Sequence, residues 1–512
     1  MLAAVLAVFL QTQSAVNIDA VVTDKAGHRV AGLTRDDFEL LEDGKRQTIT
    51  DYTEAAQARP RRFVIFVDNS SLMGAARKQF FTTLRGFIDA QLRAGDHASL
   101  VSWSSAGLQI AAPLTGEKAL LTAAIDRVEA TALPASDSAS YDRVRVLCLN
   151  DADLVRAGRM AAMSAYADCI NAIRGETTVL INSSRALMNA ISVTMTVTAG
   201  ADGKKILIVA GSSLPQRPGV ELFRWANVTY QQLMRGFDAA RDTADPADDQ
   251  RQKEMLEKLA RSANAQGISI YPINAPMAGD VKNIMPGRDY GSDSMRVENT
   301  DAAFTMLAGM TGGLAARGPA DFGAALASVA GDLEAYSSLG YRPRDDRSGD
   351  RAVVVRAKNP DYSVRARQSY AAKTIDDQMR DRVVANIYSA STKSDWPVTT
   401  RNGAPQRAGS DYTVPIEVTF PSTLTLQPEG GKLSGGFALY VAVGNKQGAL
   451  STVSRSVQPV QVPVAEEAEF RAAPVTVGVN LNLKPGENLV SIAVADQVSH
   501  AAGFARTTIV TP

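Results

Sequence analysis

The sequence predicts an α/β domain built on a doubly wound sheet, with all-β regions before and after it. Three observations carry this. Short apolar runs at Phe63–Asp68, Lys205–Ala210 and Ile268–Ile273 are bounded by turn residues and separated by helical patterns, as expected of strands buried on both faces of a parallel sheet. Residues 16–58 and 338–372 carry strand and turn signals, among them the alternating run Ala352–Ala357. Residues 412–512 alternate apolar and polar side chains, with Gly and Pro at the turns.

Taken in order, the start MLAAVLAVFLQTQSA holds one apolar run, Leu2 to Leu10, followed by small residues. That run is too short to span a bilayer as a helix and fits a secretory signal segment over 1–15; the alternative is a buried N-terminal strand. Residues 16–60 then read as β structure, with a turn at Asp24–Gly27 and a strand-to-turn passage over Asp37–Gly44. So few strands cannot stabilise a unit alone. We therefore expect 16–60 and 338–375 to form one small β-sandwich, with the α/β domain of 61–337 inserted between them.

Within that domain, helical spacing covers Arg77–Gln91, with Phe80, Phe81, Leu84, Phe87 and Ile88 on one face, and His97–Trp103 reads as the next strand. Leu120–Val128, Ser184–Thr198, Gln250–Ala265, Ala302–Met310 and Phe322–Tyr336 are further expected helices. Two stretches, 131–176 and 214–249, exceed ordinary connections. The first is expected to hold one helix around 151–173, and both are expected to rise over the C-terminal ends of the strands. Residues 277–300 read as an exposed loop, and 376–411 as a linker with a helix near Gln378–Lys393. The strands Tyr412–Phe420, Gly436–Gly444, Val475–Leu483 and Leu489–Ala495 suggest a C-terminal immunoglobulin- or fibronectin-like sandwich over 412–512.

Composition narrows the function. Lys plus Arg and Asp plus Glu balance at 54 each, so no global field favours nucleic acid or an anionic membrane. Three histidines, far apart, and two cysteines weaken metalloenzyme and histidine-based hydrolase readings. The G-x-S-x-G elbow, H-E-x-x-H, P-loop and G-x-G-x-x-G motifs are all absent. No stretch after the start is long and apolar enough for a membrane span.

The run RFVIFVDNSS, followed by a helix, resembles the first loop of a von Willebrand factor A (VWFA) domain. The blocks VVTDKAGHRVAGLTRDDFELLEDGKRQTI (21–49), RRFVIFVDNSS (61–71) and LEAYSSLGYRPRDDRSGDRAVVVRAKNPDYSVRARQSY (333–370) more specifically resemble the bacterial VWFA-related Acidobacterial domain family. The resemblance implies a Rossmann-like domain, protein–protein interaction at the cell envelope or outside the cell, and a metal-ion-dependent adhesion site. A hard cation such as Mg²⁺ seeks six oxygens. Asp68 and Ser70 match that site's pattern. Leu72, Arg185 and Ala210 stand where the resemblance places Ser, Thr and Asp, which makes the site degenerate and leaves Mg²⁺ a minor expectation beside no cofactor. Arg185 is expected to lie near Asp68 and replace the cation as a salt-bridge partner.

These observations predict an exported, periplasmic or extracellular, non-enzymatic protein that binds a protein partner. The candidate contact residues are Asn69, Ser71, Arg185, Ser212, Phe223 and Trp225, the aromatic pair being equally readable as core. Alternatives are a hydrolase working in an Asp68/Ser212 cleft, for which His97 is the one histidine in the domain, and a metal-dependent adhesin. In an exported chain Cys148 and Cys169, 21 residues apart, are candidates for a disulfide stapling the first insert; the alternative is two buried thiols.

Overall fold

The computed structural model describes residues 16–54, 59–72, 74–104, 106–131, 138–198, 200–233, 244–275, 292–316, 321–344, 347–388, 392–447 and 449–512. The expected signal segment, 1–15, lies outside the described residues.

Four strands open the described chain: β1 (Val16–Thr23), β2 (Phe38–Glu42), β3 (Lys45–Gln47) and β4 (Ile49–Glu54). The α/β domain begins with β5 (Arg61–Asp68), α1 (Gly74–Gln91), β6 (His97–Ser104), β7 (Gly107–Thr115) and α2 (Lys118–Ala130). It continues through α3 (Ser138–Arg156), α4 (Ala162–Met195), β8 (Lys204–Gly211), α5 (Val220–Gln231) and α6 (Pro246–Gln266). Strand β9 (Ile268–Asn274), α7 (Ser292–Thr311) and α8 (Phe322–Glu334) complete it.

The central sheet has the order β7-β6-β5-β8-β9. Strands β6, β5, β8 and β9 are parallel, and β7 returns antiparallel on the edge beside β6. Alternation along β5 explains its unbroken apolar run, because each face needs its own side chains. Phe63, Ile65 and Val67 pack with Phe80, Phe81 and Leu84 of α1, Leu121 and Ile125 of α2, and Phe322 of α8. Val64 and Phe66 face Leu187 and Ile191 of α4, Leu256 and Leu259 of α6, and Phe304 and Leu307 of α7. Helices therefore cover both faces. The structure is mixed α/β with additional β-sandwich sheets.

After α8 come β10 (Tyr336–Tyr341), β11 (Gly349–Ala357), β12 (Ser363–Ala366) and β13 (Ser369–Ala372). They join the first four strands in two sheets, β12-β1-β10-β4 and β13-β11-β2-β3. Ile18, Leu40, Leu339, Tyr341 and Val353 fill the space between these sheets. One carboxylate is buried there with its charge matched: Glu42 accepts from Arg351 Nη1 at 2.7 Å, Tyr341 Oη at 2.6 Å and Tyr370 Oη at 2.8 Å. A second tie anchors the sandwich to the α/β domain. Fully buried Asp332 of α8 pairs with Arg29 at 2.9 Å and Arg365 at 2.8 Å.

Helix α9 (Ile375–Tyr388) leads into the last unit. Its start is fixed by a reciprocal cap: Thr374 Oγ1 donates to Asp377 Oδ2 at 2.7 Å, while the Asp377 N–H donates to Thr374 Oγ1 at 3.1 Å. The strands that follow are β14 (Thr399–Asn402), β15 (Gln406–Ala408), β16 (Asp411–Phe420), β17 (Gln427–Glu429), β18 (Lys432–Gly444) and β19 (Ser454–Pro463). A short helix, α10 (Glu467–Ala472), precedes β20 (Val475–Leu483), β21 (Gly486–Asp496) and β22 (Ala502–Thr511). Strand β16 pairs with β14, β15 and β20; β18 pairs with β17, β19 and β21, and β21 with β22. Val414, Ile416, Val418, Phe437, Leu439, Val490 and Ile492 fill the space between the two sheets.

Three expectations about elements are corrected. The helix expected around 151–173 is two helices, broken at Gly158, whose φ of 67° is a left-handed turn conformation. The stretch 292–300, expected as part of a loop, is the first half of α7; the rest of that expected loop lies outside the described residues. The segment over Gln378–Lys393 is no free linker, because α9 buries Met379, Val383, Ile387 and Tyr388. Among the described residues no helix is long and apolar enough to cross a membrane.

Candidate functional site

Asp68 ends β5, the middle strand of the sheet, and the chain turns there through Asn69, Ser70 and Ser71 toward α1. Ligands of open α/β sheets bind at this C-terminal end. The Asp68 side chain is 1% exposed, and among the described residues no cation is paired with it. Ser70 donates to Asp68 Oδ1 twice, from Oγ at 2.5 Å and from its N–H at 3.2 Å. Oδ2 is buried without a hydrogen bond of normal geometry. Burial pushes the Asp68 carboxyl above the usual carboxylate range, and the Ser70, Ser213 and Ser71 hydroxyls offset part of that.

The end of β8 is pressed against this loop. A Cβ on Gly211 would stand 2.6 Å from Asp68 Cβ and 3.2 Å from Ser71 Oγ, so only glycine admits the approach. The Ser212 N–H donates to Ser71 Oγ at 3.0 Å, and the Ser212 carbonyl accepts from Thr300 Oγ1 of α7 at 3.2 Å. Asn69 has turned inward. Its N–H donates to the Trp103 carbonyl at 2.8 Å, and its Oδ1 accepts from Arg77 Nη1 at 2.5 Å. Arg77 in turn donates to the Val128 and Glu129 carbonyls at the end of α2. Asn69 thus links three elements and is 3% exposed.

Several expected site residues lie elsewhere. Arg185 is exposed on α4 and is not among the main influences on the Asp68 carboxyl. Its neighbour Ser184 is the residue that faces inward, fully buried and accepting from Gln252 Nε2 at 2.5 Å. One helical step of about 100° carries Arg185 away from the sheet, so the expected Asp68–Arg185 salt bridge is not formed. Phe223 and Trp225 are 3% and 1% exposed and belong to the core of the insert, not to a surface. They pack with Tyr141, Tyr166, Tyr230 and the Cys148–Cys169 disulfide. The Tyr230 hydroxyl donates to the Cys148 carbonyl at 3.0 Å. The disulfide joins α3 to the first half of α4.

Helix α4 has 34 residues, about 50 Å of helix, against about 26 Å for the eight-residue strand β8. Its last turns pack on the sheet, and β8 starts soon after at the opposite edge. The first half of α4, with α3 and α5, therefore projects beyond the end where Asp68 lies. Asn299 of α7 ties α5 down, donating to the Arg217 carbonyl at 2.7 Å and to Glu221 Oε2 at 3.2 Å.

The cation site implied by the resemblance can be tested against these donors. Asp68 and Ser70 are side by side, and Asp68 Oδ2 is an orphaned oxygen, but Asp68 is the one carboxylate within residues 68–72 of the loop and 210–213 of the β8 ending. Leu72 is fully buried in the apolar layer under α1, and Ala210 is fully buried in the same layer. Among the described residues no three His, Cys, Asp or Glu side chains gather in a metal-ligating group. One carboxylate and a few hydroxyls fall short of what a hard divalent cation requires. The residues present do not fit Mg²⁺.

His97 is remote from this loop. It opens β6 opposite Arg62, whereas Asp68 stands opposite Trp103. Six residues of strand separate the two positions by about 20 Å, and His97 Nδ1 lies 3.2 Å from the Gly95 carbonyl oxygen. Gly211, Ser213 and Thr300 belong to the site and were not singled out from the sequence. The strand-then-Gly-Ser-Ser ending of β8 was the available signal. No family model matches the chain, and no curated protein sequence matches it.

Proposed function

We propose that the chain is an exported, non-enzymatic binding protein that captures a protein partner at the C-terminal end of an α/β domain of the VWFA type. One observation carries this. The Asp68–Ser71 loop leaves the middle strand of the five-stranded sheet with its carboxylate buried and its hydroxyls braced against β8. A loop so fixed is a rigid platform, and the lone carboxylate argues that recognition proceeds without a cation. Ser70 and Ser213 keep partly exposed surface at this end, and Arg185 is exposed on α4 next to Ser184, which Gln252 links to the Pro215 carbonyl just beyond β8. The small sandwich and the C-terminal sandwich act as scaffold and spacer. Export draws support from the Cys148–Cys169 disulfide, since such bonds persist in oxidising compartments.

The hydrolase alternative needs a base near Ser212, and the position of His97 disfavours it. The two arms of one experiment test the proposal. Immobilised protein is offered an envelope extract with Mg²⁺ or with a chelator, beside an Arg185→Glu variant. The expected result is a partner retained equally in both buffers and lost in the charge-reversed variant. Retention that requires Mg²⁺ would instead establish a metal-dependent adhesin. Ester hydrolysis by the wild type that disappears in Ser212→Ala would establish the hydrolase.

A further inference from the structure

A cleft of about 510 Å³ opens at the other end of the sheet, between its N-terminal edge and the start of α9. Arg62 on β5 and Lys205 on β8 are register partners across the parallel ladder. Alternation places both on the face of Val64 and Leu207, where like charges side by side repel. Lys373, Arg382 and Lys393 bring three more cations to the lining. Three carboxylates share it, those of Asp202, Asp381 and Asp395, and Asp381 is already paired with Lys373. Five cations against three carboxylates leave two positive charges. The Lys205 ammonium donates to the Gln266 carbonyl at 3.0 Å rather than to a carboxylate. Arg62 Nε is buried without a hydrogen-bond partner among the described residues.

We propose that this cleft binds a small phosphorylated molecule, with its dianionic phosphate seated between Lys205, Arg62 and Lys373. A phosphomonoester carries close to two negative charges above its second pKa of about 6, which matches the surplus in the lining. The planar guanidinium of Arg62 suits phosphate oxygens. The volume exceeds what phosphate alone fills and lies within the range of about 300–1,000 Å³ for small-molecule sites. Val197, Ala201 and Ala385 offer apolar wall to the remainder. Burial, followed by the charge of Lys373, pushes the Lys205 ammonium down to about 8; a bound dianion restores it. The site is independent of the Asp68 loop.

Isothermal titration of inorganic phosphate and of glycerol 3-phosphate into the full chain tests this. The expected result is saturable binding of both at one site, tighter for the ester. Binding should be weakened at least tenfold in Lys205→Met, which keeps the apolar stem and removes a desolvated charge, and unchanged in Asp68→Ala. Near pH 8, titration in buffers of different ionisation enthalpy should register uptake of roughly half a proton per anion bound, as Lys205 is recharged. Absence of saturable binding, unchanged affinity in Lys205→Met, or binding without proton uptake would each overturn the proposal.

Discussion

Asp68 pairs a carboxylate with a place that does not favour its charge. Its folded carboxyl lies above the unfolded value of 3.8, chiefly through burial. Between those two values the folded state holds the proton more strongly than the unfolded state. Stability therefore falls as pH rises through that window and stays lowered above it. Asp68→Asn keeps an oxygen for Ser70 to donate to and removes the ionisation. The variant should be more stable than the wild type near neutral pH, with the gain vanishing as the pH drops below 3.8. Urea midpoints at the two pH values measure this directly. A variant less stable at neutral pH would mean that the carboxylate charge is compensated after all. The same residue shows why composition could not settle the site: Asp-x-Ser announces a ligand loop, but whether a second charge joins it depends on which face of α4 Arg185 occupies.

At the scale of elements, the insert behaves as a helical unit pinned by one covalent bond. The Cys148–Cys169 link closes a separation of 21 residues, worth roughly 3 kcal/mol in the loop-entropy account. Replacing both cysteines with serine should lower the stability of α3 and the first half of α4 by about that amount. Hydrogen exchange should quicken over 138–170, while amides of β5 and β8 stay protected. Equal loss of protection in the sheet would mean that the insert and the sheet form one cooperative unit. Elements buried on both faces are legible as continuous apolar runs, as in β5, β8 and β9, while Val475–Leu483 is legible for the opposite reason, since one face is exposed and its side chains alternate strictly. Strand β7 was missed because it is a half-exposed edge strand whose register shifts twice beside β6. Strand β19, with Ser454 to Gln458 all exposed, gave no apolar pattern to read. The aromatic residues of α5 were ambiguous because helical spacing says which residues share a face. It does not say whether another helix covers that face, and here α3 and α4 do.

Across the whole molecule the apolar interior does not stop at the α/β domain. One continuous buried cluster runs from Val64 and Phe66 under α4, through Met379, Val383 and Ile387 of α9, to Ala438, Ala442 and Ala493 of the C-terminal sandwich. Asn386 adds polar fixings, donating to Ser491 Oγ and to the Ala505 carbonyl, each at 3.0 Å. Small alanines on the sandwich side let the helix axis come close to the sheet, which explains why a segment that reads as a linker is held as a wedge. The two units should therefore unfold together. Val383 has no exposed surface, and Val383→Asp would place an unpaired carboxylate at the middle of the wedge, at a cost of several kcal/mol unless α9 detaches. Scanning calorimetry of the wild type should show one joint transition for the α/β domain and the C-terminal sandwich. In Val383→Asp that transition should divide in two, with both sheets still folded at room temperature by circular dichroism. A single transition in the variant, merely shifted down, would mean that contacts other than α9 couple the domains.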